Sequence, residues 1–123
     1  SIEPVFEAGL ADIIDTPHSP ADGVELVPTP GHTPGHVSVR VSSAGQTALI
    51  SGDCFHHPCQ IARPDWYANV DVDRDKSTET RKKVLSELVD TDTRFIGSHF
   101  APPTAGLIRR DGETYIFDDG ESA

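Results

Sequence analysis

The sequence of 123 residues has no methionine, one tryptophan and two cysteines. Two thiols allow one bridge at most, which excludes a disulfide-rich secreted scaffold; Cys54 and Cys59 are read as free thiols in a reducing, cytoplasmic setting. Basic residues are also scarce. Ten Lys and Arg face twenty Asp and Glu, giving a formal net charge of −10, and a field of that sign repels nucleic-acid backbones and anionic membrane surfaces. No apolar run approaches the eighteen or so residues of a membrane span, and no basic stretch leads into an apolar one at the N-terminus, so neither a span nor a retained signal peptide is expected. Repeats and low-complexity tracts are absent. The first residue is Ser rather than Met, which is compatible with processing, a cloning scar or truncation.

What is present is a lean, loop-rich composition, with 36% hydrophobic residues, ten Gly and ten Pro. The length suits one domain with a modest core. Residues 1–23 read as an irregular N-terminal segment in which Pro17, Pro20 and Gly23 interrupt any long element, with a short helix over 7–14. The pattern sharpens from Val24. The run 24–28 reads as a strand, 37–41 alternates its side chains, residues 42–46 supply a turn, and 47–51 is an apolar strand stopping at Gly52. A long irregular segment follows, containing Trp66 and Tyr67. Residues 75–90 read as a helix capped by Asp75 or Ser77, with Val84, Leu85, Leu88 and Val89 as its apolar stripe. Its charge run Arg81, Lys82, Lys83 reads as a solvated face. A strand near Phe95 and a hairpin around Asp111-Gly112 complete the chain. This order predicts a mixed α/β half-layer, which normally packs against a partner.

Three islands carry the chemistry: 30-PGHTPGH-36, 51-SGDCFHH-57 and 97-GSHF-100. His32, Asp53 and His99 each lie just beyond a predicted strand, so they can converge at one sheet edge, where loops collect function. Two imidazoles and a carboxylate suit zinc, and the same ligand types admit iron or manganese. Each residue also has a purely structural use. His32 can bond a backbone carbonyl, Asp53 can cap a loop and His99 can fill a polar gap.

Together, 29-TPGHTPGHVSV-39, 48-ALISGDCFHHP-58 and 97-GSHFAPPTAG-106 resemble the C-terminal half of a metallo-beta-lactamase superfamily hydrolase. The similarity is in the style of methyl-parathion-hydrolase-like and N-acyl-homoserine-lactone-lactonase-like enzymes, and it runs from about residue 24 to the end. It implies one half, a sheet plus a helix layer, of the αββα fold, with residues 1–123 as a single C-terminal half-domain. It also implies metal-assisted hydrolysis of a small-molecule ester, lactone or organophosphate, in which two zinc ions acidify a water and polarise the scissile bond. In that scheme His32 would hold one metal, Asp53 would bridge both as the catalytic carboxylate, and His99 would hold the second. His36 would be a buried support. His56 would line the pocket or steady a ligand, His57 would be exposed, and Trp66 and Tyr67 would wall the pocket or belong to a core or interface.

The family also uses an HxHxDH motif, which this sequence lacks. His18 is the only histidine upstream of the TPGH island. The expectation is therefore an incomplete site, inactive or weakly active alone. A fragment or truncated product, a partner chain supplying the missing half, or a homodimer closing the open face would each account for it. The competing reading is a non-catalytic binding or assembly module that self-associates through that face.

Overall fold

The computed structural model describes residues 1–120. Its first element, α1 (Glu3–Glu7), lies ahead of the 7–14 helix that the sequence suggests. Pro4 sits in its first turn, where the missing N–H costs nothing. At the other end Gly9 adopts φ +67° and the amides of Gly9 and Leu10 return to the carbonyls of Phe6 and Val5, a left-handed cap that ends the helix before Leu10. Residues 18–21 of the segment read as irregular form a strand, β1 (His18–Ala21), paired with β2 (Val24–Pro28). Pro20 is tolerated there because β1 is an edge strand.

The sheet continues through β3 (Val37–Ser43) and β4 (Gln46–Ile50) to β5 (Arg94–Ile96), β6 (Ala105–Asp111) and β7 (Thr114–Asp118). Among the described residues, seven strands lie side by side in chain order. Every pair is antiparallel except β4 and β5, and a parallel pair needs a long crossover. That crossover holds a 3₁₀ turn (Gly52–Cys54), the short helix α2 (Cys59–Ala62) and α3 (Arg74–Leu88). The last hairpin turns at Gly112 and Glu113, with Asp111 already paired to Thr114. No helix among the described residues is long and apolar enough to cross a membrane.

Helix α3 is capped by Asp73, whose carboxylate accepts from the Lys76 amide, rather than by Asp75 or Ser77. Its two halves face different surroundings. Val84, Leu85 and Leu88 join Leu49, Phe55, Ile61, Phe95, Phe100 and Ile108 in the core, where Phe55 and Phe117 meet Phe95 edge to face. Nearer the N-terminus, Ser77, Thr80 and Arg81 are buried against the loops that precede the helix. Arg81 therefore does not belong to a solvated face: it is 0% exposed, because positions 77, 81, 84/85 and 88 fall on one helical side. Lys83 does face water, paired with Glu87 at 2.6 Å.

Leu49 and Phe95 point to the helix side, so the pleat sends their neighbours to the other face. The register lines up Leu26, Val39, Ile50, Ile96 and Ala105 across five strands, and none of them is buried. This sheet thus has one packed face and one apolar face that is only half-buried.

Two outcomes follow. Arg81→Ala should lower stability in urea titrations by about 3–5 kcal/mol, because it breaks a buried charge pair, whereas Lys83→Ala should stay within about 0.5 kcal/mol. Cys54 is buried, which pushes its thiol up to about 12. Iodoacetamide should accordingly label Cys59 in the native protein and reach Cys54 only after unfolding.

Candidate metal centre

Three loops at one end of the sheet place the predicted ligands. After β2, Gly31 takes φ +138°, and a Cβ there would lie 2.3 Å from Ser77 Cα. Glycine is needed for the Pro30–His32 loop to seat on the first two turns of α3, where Thr80 donates to the Pro30 carbonyl at 2.6 Å. The carbonyls of Gly31 and His32 accept from the Asp73 and Val72 amides. After β4, Gly52 takes φ +56°, and a Cβ would come within 2.8 Å of His36 Nε2. After β5, Phe100 turns into the core against Phe95 and Phe117, which leaves the adjacent His99 on the outside.

The loops converge on Asp53. Its Oδ1 meets His99 Nε2 at 2.5 Å and its Oδ2 lies 3.5 Å from His32 Nε2. One carboxylate therefore straddles two imidazoles, each oxygen facing a different ring. The hydrogen bond with His99 is the main reason that Asp53 is held below the usual carboxylate range, with His32 and His36 adding to it.

His36 fixes this carboxylate through the backbone. The Asp53 amide donates to His36 Nε2 at 2.9 Å, so the ring proton sits on Nδ1, which donates to the Thr29 carbonyl at 3.0 Å. Both nitrogens are thereby engaged within the protein. Burial lowers the pKa of His36 and keeps the ring neutral, against a raising effect of the Thr29 carbonyl. Thr29 Oγ1, Ser38 Oγ and the Ser51 carbonyl extend the chain of bonds beneath the site, tying the ends of β2, β3 and β4 together.

A further residue, Asp71, escaped the sequence reading. It is 6% exposed, and its Oδ1 accepts from His32 Nδ1 at 3.1 Å. That bond leaves the Nε2 lone pair of His32 facing Asp53, the carboxylate–histidine arrangement that orients metal-binding imidazoles. Oδ2 of Asp71 accepts from Ser77 Oγ at 2.6 Å, from Arg81 at 3.3 Å and from the Ala68 amide at 3.3 Å, while Arg81 also holds the Pro64 carbonyl at 2.8 Å. Burial pushes the Asp71 carboxyl up, but the bonds from Ser77, His32, Ala68 and Arg81 together outweigh it and hold the pKa below 3.8. No sequence signal marked it, because Asp71 sits in an acidic run without a motif and its partner Arg81 sits in a basic one.

The other histidines differ in placement. The His56 ring stacks on His99 with centroids 5.0 Å apart and lies 5.2 Å from that of His32. His57 is exposed and accepts from the Cys59 amide, and His18 lies on β1. Trp66 is 56% exposed and enters the structure through backbone bonds; Tyr67 stacks under Arg74. The donor set itself fits a divalent transition metal, since imidazole nitrogens and a carboxylate meet with the His32 tautomer already set.

Because the folded pKa of Asp71 is depressed, its stabilisation is full above about pH 4 and is lost as pH falls through the lower folded value. Asp71→Asn should therefore cost about 3–5 kcal/mol near pH 6, and the gap to wild type should narrow steadily towards pH 2. Urea unfolding at several pH values measures this; a gap independent of pH would show that Asp71 is not ionised in the fold.

Comparisons with known proteins bear on the fold. The chain superposes on AidC, a dizinc quorum-quenching lactonase in complex with a product, with TM-score 0.82 and 26% identity over 94% of this chain. AbOPH, a hydrolase of the beta lactamase superfamily, gives TM-score 0.83 and 26% identity over 95%. A Staphylococcus aureus protein described as a probable metal-dependent hydrolase shares the fold at 20% identity, with TM-score 0.71. This chain spans 40% of the first two structures and 41% of the third. A probable metallo-hydrolase of Mycobacterium tuberculosis is 51% identical over 35 residues, 28% of this chain and 11% of the relative. The metallo-beta-lactamase superfamily domain matches residues 2–99, most of the sequence, and the chain belongs to that superfamily.

Proposed function

We propose that this chain carries part of the active site of a metal-dependent hydrolase acting on an ester, lactone or organophosphate, with zinc as the metal. The observation that supports this best is the Asp53 carboxylate lying between His32 and His99, brought together from three separate strand ends. Bound cations would supply Lewis acidity, acidifying a water and polarising the scissile carbonyl or phosphoryl bond.

The protein's own groups do the positioning. Asp71 accepts a hydrogen bond from His32 Nδ1 and so presents Nε2 to the site. His36 grips the Asp53 amide, fixing the direction of the carboxylate, and the buried Phe100 sets where His99 emerges.

In this reading the chain is incomplete as a catalyst. The sequence contains no HxHxDH motif, and the apolar row from Leu26 to Ala105 has the character of a face meant for a second layer. A missing N-terminal half or a second copy of the chain would cover that row. The same row supports the second reading, a binding or assembly module that self-associates there without catalysis.

Elemental analysis of protein purified without chelator, light scattering, and hydrolysis assays on lactones and phosphotriesters separate the two. Metal in the protein, with weak turnover that is abolished by chelation and lowered at least about 100-fold by Asp53→Asn, is the expected result. A metal-free dimer without turnover would leave the assembly module standing instead.

A further inference from the structure

We propose that this chain pairs with a second copy of itself by exchanging arms: residues 1–16 of each protomer lie across the half-buried apolar row of its partner's sheet, and a carboxylate of the arm meets Arg94. The inference rests on the self-association reading above and deepens it by naming what covers the row. It does not depend on the hydrolase chemistry.

The arm is a surface without a counterpart in its own chain. Ile2, Val5, Phe6, Leu10, Ile13 and Ile14 are all exposed, Leu10 and Ile13 at 79% and 82%, and α1 contains no buried residue. Single exposed apolar side chains are ordinary, but a run of them within one short segment marks an interaction site. The charge of the arm is of one sign. Glu3, Glu7, Asp12 and Asp15 lie along it, with no Lys, Arg or His before Pro17.

The open face of the sheet is its complement. Val24, Val41, Ala48 and Arg94 line up across β2 to β5, and each stands two residues from a member of the Leu26–Ile96 row, hence on the same face. Arg94 is exposed and joins no ion pair among the described residues. A cleft of about 630 Å³, lined in part by Val41, Ala48, Arg94 and Leu107, opens around it. An apolar face with an unpaired cation thus matches an apolar arm rich in carboxylates.

Charge and reach both favour a second copy. A chain of net charge −10 repels its own copies, so association needs a place where opposite charges meet, and the arm with Arg94 supplies one. Residues 8–16 span about 30 Å when extended, whereas the three strand spacings from β2 to β5 cover about 14 Å. In the single chain the arm's apolar side chains face water while the row stays half-buried. Reciprocal exchange about a two-fold axis covers both surfaces in both protomers.

Light scattering of the 123-residue chain over a range of concentrations tests this on wild type, on Arg94→Glu, on Asp12→Arg with Asp15→Arg, and on the three changes combined. All three positions are exposed, and circular dichroism confirms that each variant is folded. A mixture of ¹³C-labelled and unlabelled wild-type protein, read by isotope-filtered NOEs, reports on contacts between copies. The expected result is a dimer whose Kd rises more than about tenfold in each charge-reversed variant and returns to within about threefold of wild type when the reversals are combined, with NOEs between Ile13 methyls of one copy and Leu26 or Ile96 methyls of the other. A dimer indifferent to both reversals and without those NOEs overturns the arm contact and leaves self-association standing. A monomer at every concentration overturns both, including one in which Ile13 contacts the row of its own chain, while the hydrolase reading is judged separately by its chelation and turnover assays.

Discussion

The buried Asp71 carboxylate is the contact on which the site's geometry depends. It joins three parts of the chain that are distant in sequence: the His32 loop, the Ala68 amide in the irregular segment, and the Ser77–Arg81 side of α3. A buried carboxylate without partners would be strongly disfavoured, and so would the buried guanidinium. Each makes the other tolerable, and the remaining lone pair of Asp71 sets the tautomer of His32. Helix α3 thus has two tasks, filling the core with its C-terminal half and holding a ligand loop with its N-terminal half.

Glycine makes the close approaches feasible. Side chains at Gly31 and Gly52 would collide with α3 and with His36 respectively, and both residues adopt positive φ. The two supports then work from opposite sides, Asp71 on the His32 ring and His36 on the Asp53 backbone. Rigid placement of this kind lets loops carry precise geometry. Only His99 relies mainly on packing, through the neighbouring Phe100 in the aromatic cluster.

The two sheet faces tell a matching story about extent. One is packed by α3 and by an aromatic core, while the other offers an apolar row at intermediate exposure. The superposed structures are longer, this chain spanning 40% of two of them. The candidate donor residues and the half-buried apolar row thus belong to the same single sheet.

The sequence by itself determined the strands from Val24 to Ile50, the α3 stripe and the last hairpin, because period-2 and helical spacing are local properties written in consecutive residues. It also singled out His32, Asp53 and His99, each recognisable as a polar residue just past a strand. The position of α1 was not legible there, because the apolar residues of the N-terminal segment are too loosely spaced to mark a helix, and its bounds follow from Pro4 in the first turn and Gly9 at positive φ. Asp71 and Arg81 were a different matter. Arg81 stands beside Lys82 and Lys83 and resembles them locally, and Asp71 belongs to a run of acidic residues without a motif. Only the tertiary structure decided that one member of each run is buried, since a charge is drawn inward by a partner supplied from a distant part of the chain, and no local pattern records which residues will meet.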